Sequence, residues 1–337
     1  MNDLGGTPGP RRVGVVGAGG IANAHLPAWL HLGAEVVVHS LHGAPELVVR
    51  HGGGRVVDTL DALLAEVDVV DVCTPTYTHP EIVLAAAAAG KHVLCEKPLA
   101  LDAGTTESMV KACAAAGVQL YPGHVVRYFA EYAALQQAVT AGAIGTPAVL
   151  RFHRCGARPR AGWFADPALS GGIIMDQMIH DLDFARWLGG EVESVHARLS
   201  DSAPGTTTGV VSAHVVARHR GGALSSVTGT WARPGTRFRY GFHAAGTDGM
   251  LSYDSATDLS LRTDTGAPDE GGERLLPDVS LVESPFVTEI REIAAAFAGG
   301  PAPRVSADDG LAAVRLAAAA NVSLATGRPA NIEEVTP

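Results

Sequence analysis

No stretch of this chain approaches the ~18–20 uninterrupted apolar residues that a spanning helix requires, although 47% of its 337 residues are hydrophobic. The basic excess that nucleic acid or an anionic membrane would reward is also missing. Lys and Arg number 25 against 35 Asp and Glu, a formal net charge of −10, so neither partner is expected. Cysteine is scarce: Cys73, Cys95, Cys113 and Cys155 show no Cys-x-x-Cys spacing, which excludes a disulfide framework and suits free thiols in a reducing compartment. Cys73 and Cys95 lie in apolar runs and read as core residues. The first residues, MNDLGGTPGPRR, put acid, glycine and proline where a secretory signal needs an apolar centre, so no export is implied and a cytoplasmic location is expected. Residues 1–11 read as a frayed tail.

What is present is enough apolar material for two cores, since domains usually run to ~100–200 residues. Residues 12–17, Arg-Val-Gly-Val-Val-Gly, lack polar alternation, as a strand covered on both faces does. Further apolar runs follow at Ala34–Val38, Val67–Cys73, His92–Cys95 and Val118–Tyr121, with helical stretches between them. Pro80 suits a first helical turn, Gly90 and Gly117 suit helix stops, and Asp102 suits an N-cap. The rhythm predicts an α/β domain over 12–123, a doubly wound parallel sheet. From Ala148 the pattern changes to short strands with Gly and Pro turns, interrupted by a helix near 173–188. Val192–Leu199, Val210–Arg218, Ala223–Trp231, Arg237–Gly246 and Gly249–Tyr253 are expected as neighbouring antiparallel strands. This gives an α+β domain over 124–337 with an open-faced, mainly antiparallel sheet, a surface loop at 264–280, and helices at 284–298 and 308–326.

Gly17-Ala18-Gly19-Gly20-Ile21-Ala22 matches G-x-G-x-x-A between a strand and a helix. Gly17 permits the tight turn, Gly19 lets the backbone approach a pyrophosphate, and Ala22 allows close helix packing, with free N–H groups at the helix start. An NAD-binding unit usually ends its second strand with an acid for the ribose hydroxyls. This chain has His39-Ser40-Leu41-His42 there. Ser40 can bond a 2′-phosphate or simply cap a turn against the ribose. The cofactor is therefore NAD or NADP, with NADP slightly favoured.

Thr74-Pro75 and Glu96-Lys97-Pro98 follow successive strands, at the carboxyl edge where open α/β sheets bind ligands. Asp176, His180 and Asp183, spaced by four and three residues, share one helical face after Ser170-Gly171-Gly172. Such a pair is either structural or able to orient a substrate and take its proton.

These motifs together resemble the glucose-fructose oxidoreductase, inositol dehydrogenase and rhizopine-catabolism (Gfo/Idh/MocA) family: the glycine turn, Thr74-Pro75 with His79, Glu96-Lys97-Pro98, Gly123-His124-x-x-Arg127, and Gly171-Gly172-x-x-x-Asp176-x-x-x-His180. The resemblance implies that Lys97 bonds the reacting oxygen, His180 is the general acid/base and Asp176 orients substrate and histidine. It also implies cofactor contacts from Gly17, Gly19, Gly20, Ile21, Ala22, Ser40, Thr74, Pro75, His79, Glu96 and Lys97. His124, Arg127 and Trp163 are secondary substrate contacts, Trp163 either as a stacking face or as a loop anchor. The stretch Ile179–Asp183 looks like inositol dehydrogenases, which suggests a sugar or cyclitol substrate, and the resemblance implies a Rossmann domain followed by an open-faced sheet domain, paired through that sheet into a homodimer or homotetramer. The family often has Asn where Thr76 stands and an acid at or beside Ser40, so cofactor choice stays open. Hydride chemistry needs no metal, and no Cys/His spacing offers a site. Two alternatives remain: an NAD-dependent glycoside-cleaving enzyme and a non-catalytic dinucleotide sensor.

Overall fold

The computed structural model describes residues 12–206, 208–256 and 283–335; the tail at 1–11 and the loop at 264–280 lie outside them. In chain order the elements are β1 (Arg12–Val16), α1 (Ala22–His31), β2 (Glu35–His39), α2 (Ala44–His51), β3 (Arg55–Val56), α3 (Leu60–Leu64), β4 (Val69–Val72), α4 (His79–Ala88), β5 (His92–Glu96), α5 (Ala103–Ala115), β6 (Leu120–Gly123), α6 (Ala130–Thr140) and β7 (Pro147–Ala157). They continue as α7 (Pro167–Ser170), α8 (Ile179–Gly189), β8 (Val192–Asp201), β9 (Val211–His219), β10 (Leu224–Ala232), β11 (Arg239–Gly246), β12 (Met250–Asp254), α9 (Pro285–Phe297), α10 (Ala307–Thr326) and β13 (Ala330–Asn331).

Two compact units result. One runs through Ala100, takes in Thr105–Tyr128, and includes α9 and the chain to Leu311; the other comprises Leu101–Gly104, the stretch from Phe129, and the chain from Ala312. The sequence reading assigned everything after 123 to one domain, so the return of α9 is a correction with a clear cause. Phe286, Ile290, Ile293 and Ala294 make an apolar stripe on α9, and it packs with Leu26 and Trp29 of α1 and with Val69 and Leu94 of the sheet. Each such large side chain contributes about 1.5–3 kcal/mol when buried.

The first unit is a parallel sheet in the order β3-β2-β1-β4-β5-β6. Residues alternate between two cores: Val69 and Leu94 face α1, α2 and α9, while Val70, Val72, Val93 and Cys95 face the side of Leu63, Ile82 and Met109. β3 is missing from the sequence reading because its two residues, paired only with Val37 and Val38, are too few to make a periodic pattern.

The second unit holds a sheet ordered β12-β11-β7-β10-β9-β8-β13. β10 and β11 are not neighbours as expected: β7 lies between them, parallel to β10 and antiparallel to β11. Alternating polarity tells which face a strand buries but not which strand it pairs with. All four cysteines are free, and Cys73 and Cys95 are buried, as their apolar settings imply. Among the described residues no helix is long and apolar enough to cross a membrane.

Candidate active site

The glycine turn separates into positions the chain needs and one it does not. Gly17 has φ +106°, and a Cβ there would lie 2.7 Å from the Cys73 carbonyl oxygen. Its N–H donates to the His39 carbonyl at 2.8 Å, so the turn is pinned between β2 and β4. A Cβ at Gly19 would meet nothing within 4 Å, and its φ lies outside the left-handed range. Neither packing nor backbone conformation demands glycine there. The space instead fits the approach of a pyrophosphate, in front of an α1 N-terminus that no side chain caps. Ala22 is fully buried, as close helix packing requires. The Ser40 hydroxyl donates to the His42 carbonyl at 2.8 Å, the turn-capping geometry.

At the ends of β4 and β5, His79 joins the two loops. Its ring nitrogens lie 2.9 Å from the Pro98 and Thr74 carbonyl oxygens, and the residue is 1% exposed. It braces the two loops, with both ring edges occupied by main chain. Thr74 and Thr78 hydroxyls are 2.8 Å apart. Lys97 is half-buried, and its peptide bond to Pro98 is cis.

Beneath Lys97 lies a cluster that the sequence reading missed. Asp71 and Glu96 alternate onto the sheet face covered by α1 and α9. The His25 Nδ1 is 2.9 Å from Asp71 Oδ2 and its Nε2 is 3.1 Å from Glu96 Oε1. Trp29 Nε1 donates to Asp71 at 2.7 Å, and the Lys97 main-chain N–H donates to Glu96 Oε2 at 3.0 Å. Burial alone would push His25 down, but the Asp71 carboxylate outweighs it and raises the imidazole well above its ordinary value. Burial would raise Glu96, yet the hydrogen bond and charge of His25, with the charge of Lys97, hold it below the usual range. Burial, reinforced by the Asp71 carboxylate, pushes the Cys73 thiol up to about 12.

His25, Asp71 and Cys73 bring potential metal-ligand atoms within 4.8 Å of one another, a grouping that linear spacing does not reveal. Because both His25 nitrogens face carboxylates, an imidazolium satisfies that geometry better than a metal ligand, which must offer a lone pair. The visible signals were a carboxylate inside the strand Val-Val-Asp-Val and Glu289 inside the apolar stripe of α9.

Arg127 is held by main chain as well. It is 1% exposed, and its Nη1 donates to the Arg304 carbonyl at 2.6 Å and lies 3.3 Å from Asp309 Oδ2. It ties the turn after β6 to the start of α10. His124, which precedes it, is likewise buried.

In the second unit, Ile174–Met178 forms a π-turn that leads directly into α8. The wider turn carries i→i+5 bonds and lies close to the sheet, where Gly229 leaves room: a Cβ there would approach Met178 Cγ within 2.4 Å. Asp176 and His180 are half-buried, whereas Asp183, expected on the same face, is buried. Asp181, the residue after His180, accepts Arg154 Nε at 3.1 Å, Arg154 Nη2 at 2.8 Å and the Tyr132 hydroxyl at 3.0 Å. Burial and the Asp181 carboxylate push the Tyr132 phenol up, so it remains a donor. Trp163 stacks on Phe164 with centroids 3.7 Å apart, and Phe164 meets Trp231 edge-on.

Residues 11–124 match the model described as an oxidoreductase family with an NAD-binding Rossmann fold, and residues 132–252 match the GFO/IDH/MocA C-terminal domain. The chain is 32% identical to a myo-inositol 2-dehydrogenase of Thermotoga maritima, covering 96% of this chain and 99% of the relative. It is 30% identical to a 1,5-anhydro-D-fructose reductase of Ensifer adhaerens, covering 96% and 98%. The solved structure of GenD2 from gentamicin A biosynthesis, in complex with NAD, superimposes with a TM-score of 0.83 at 27% identity, covering 95% of each chain. Likeness across both units and almost the full length of these relatives places the chain in the Gfo/Idh/MocA oxidoreductase family.

Proposed function

We propose that this protein transfers a hydride between a nicotinamide dinucleotide and a secondary hydroxyl or ketone of a sugar or cyclitol, with Lys97, Asp176 and His180 as its chemistry residues. The observation that carries the reading is shared by both units. Each half-buried reactive side chain, Lys97 and His180, adjoins a buried carboxylate held by two residues: Glu96 by His25 and the Lys97 main chain, Asp181 by Arg154 and Tyr132. Rigid neighbours of this kind aim a reactive group, and aim is the protein's main contribution in cofactor chemistry.

When bound, the dinucleotide supplies or accepts the hydride. His180 takes the hydroxyl proton as the carbinol carbon is oxidised, the general-base role that imidazole fills most often. The Lys97 ammonium stabilises the developing alkoxide, and Asp176 orients substrate and imidazole. Gly17, Gly19, Gly20, Ile21 and Ala22 hold the phosphates, with Ser40, Thr74 and Pro75 along the same sheet edge. Trp163 offers its indole face to the substrate ring. The end of β2 carries no carboxylate against the ribose, so NADP is accepted at least as well as NAD. The enzyme works as a cytoplasmic homodimer or homotetramer paired through its open sheet. A screen of inositols and sugars against both dinucleotides, followed at the reduced-nicotinamide absorbance, tests the reading; absence of any turnover with any of them contradicts it.

A further inference from the structure

We propose that His25, Asp71 and Glu96 form a positioning relay that fixes Lys97 through its main-chain N–H, a role that rests on Lys97 acting in catalysis. Three elements build it: His25 and Trp29 from α1, Asp71 from β4 and Glu96 from β5. The hydrogen bonds run in one line, from Trp29 and His25 on Asp71, through His25 to Glu96, and from Glu96 to the Lys97 N–H.

A purely structural purpose accounts poorly for this line. Each buried ion costs several kcal/mol of desolvation, and apolar side chains at such positions commonly stabilise as well or better. The surrounding residues, Leu26, Val69, Leu94 and Ile290, are already an apolar core. What the charged line adds is a fixed acceptor at one place, the backbone of Lys97.

The charges that face His25 are few. Asp71 and Glu96 are the carboxylates at hydrogen-bond distance. The Cys73 thiol is pushed up to about 12, so it is neutral. Glu289 is fully buried, neither of its carboxyl oxygens finds a partner among the described residues, and burial followed by the charge of Glu96 raises it well above the usual carboxyl range, which favours its neutral form. Lys97 lies beyond Glu96. His25 thus keeps its charge because of Asp71. Without that carboxylate, burial governs, the ring loses its proton as pH rises, and Glu96 loses the cation that offsets its own burial.

The test compares kcat, dinucleotide affinity by fluorescence titration, and pH dependence in the full chain. Asp71→Asn is expected to show a kcat ratio to wild type that falls at least ~10-fold as rising pH strips the proton from its His25, with dinucleotide affinity within about threefold throughout. A variant-to-wild-type ratio that stays constant with pH, or a loss of affinity matching the loss of kcat, overturns the relay. Glu96→Gln gives a second reading if Asp71→Asn does not fold: His25 and the Lys97 N–H bond separate carboxylate oxygens and an amide keeps only one acceptor oxygen, so kcat drops at least ~10-fold with affinity retained; wild-type kcat in this variant overturns the proposal. Glu289→Gln replaces a neutral acid by a neutral amide and is expected to match wild type at every pH; if it reproduces the Asp71→Asn profile, the titrating group is not His25 and the relay is wrong. Lys97→Ala separates the two levels. Full activity there refutes the catalytic role of Lys97, whereas an inactive Lys97→Ala beside unimpaired Asp71→Asn and Glu96→Gln refutes only the relay.

Discussion

Arg154 holds Asp181 with two nitrogens, Nε at 3.1 Å and Nη2 at 2.8 Å, and the residue immediately before Asp181 is His180. Both partners of the pair are buried, so the imidazole is carried on a helix whose adjoining position cannot shift without exposing or unpairing a charge. Removing one partner of such a pair typically costs about 3–5 kcal/mol, because the other charge stays buried alone. Arg154→Met is therefore expected to destabilise the protein by that amount in urea unfolding, and adding Asp181→Leu to recover at least half of the loss. An Arg154→Met variant as stable as wild type would show that the pair does not anchor α8.

Gly17 and Gly19 of the phosphate turn are expected to separate folding from binding. Gly17→Ala forces a Cβ against the Cys73 carbonyl at a positive φ, and strain plus overpacking should cost roughly 2–4 kcal/mol. Gly19→Val meets open space, so its melting temperature should match wild type while dinucleotide affinity falls at least ~10-fold. Equal thermal losses in both variants would mean that the turn is merely structural.

Glu289 gives a pH signature with a definite sign. Its folded pKa is raised by burial and by Glu96, so the stability linked to its proton is fully present below the unfolded value of ~4.3 and is lost as pH rises through the folded value. Glu289→Gln should leave the melting temperature unchanged near pH ~4 and raise it near pH ~8. His25 is also raised, and the stability linked to its charge is complete below ~6.5 and lost as pH climbs through its folded value. A Glu289→Gln variant less stable than wild type at the higher pH would contradict the neutral assignment.

Lys97→Ala and His180→Ala are each expected to lower kcat at least ~100-fold with dinucleotide affinity largely intact, the usual contribution of a proton-transfer or electrostatic group. Initial rates and fluorescence titrations on the same samples check both halves of the statement. Unchanged turnover in either variant removes that residue from the chemistry.

Much of this architecture was legible because local rules act over short spans. The glycine turn after β1, the strand-helix alternation and the loops after β4 and β5 follow from nearest-neighbour patterns, and the helices α9 and α10 lie where their periodicity predicts. The rest depends on contacts distant in sequence. The position of β7 between β10 and β11, the packing of α9 on α1, and the meeting of His25 with Asp71 and Glu96 join residues dozens to hundreds of positions apart, which no periodicity encodes. His79 and Arg127 illustrate the limit in the other direction. Their residue types suit ligand contact, but the carbonyls that occupy them, from Thr74, Pro98 and Arg304, can be found only in three dimensions.

The central claim is direct hydride transfer, and isotope transfer tests it most directly. An inositol or sugar active in the screen, deuterated at the carbinol carbon, is incubated with oxidised dinucleotide and the reduced product is examined by mass spectrometry. The account predicts that the label moves to the nicotinamide and stays there as ketone accumulates, and that Lys97→Ala and His180→Ala abolish the transfer. Label that returns to a cleaved sugar with no net reduced dinucleotide, or dinucleotide binding with no transfer from any polyol, would contradict it.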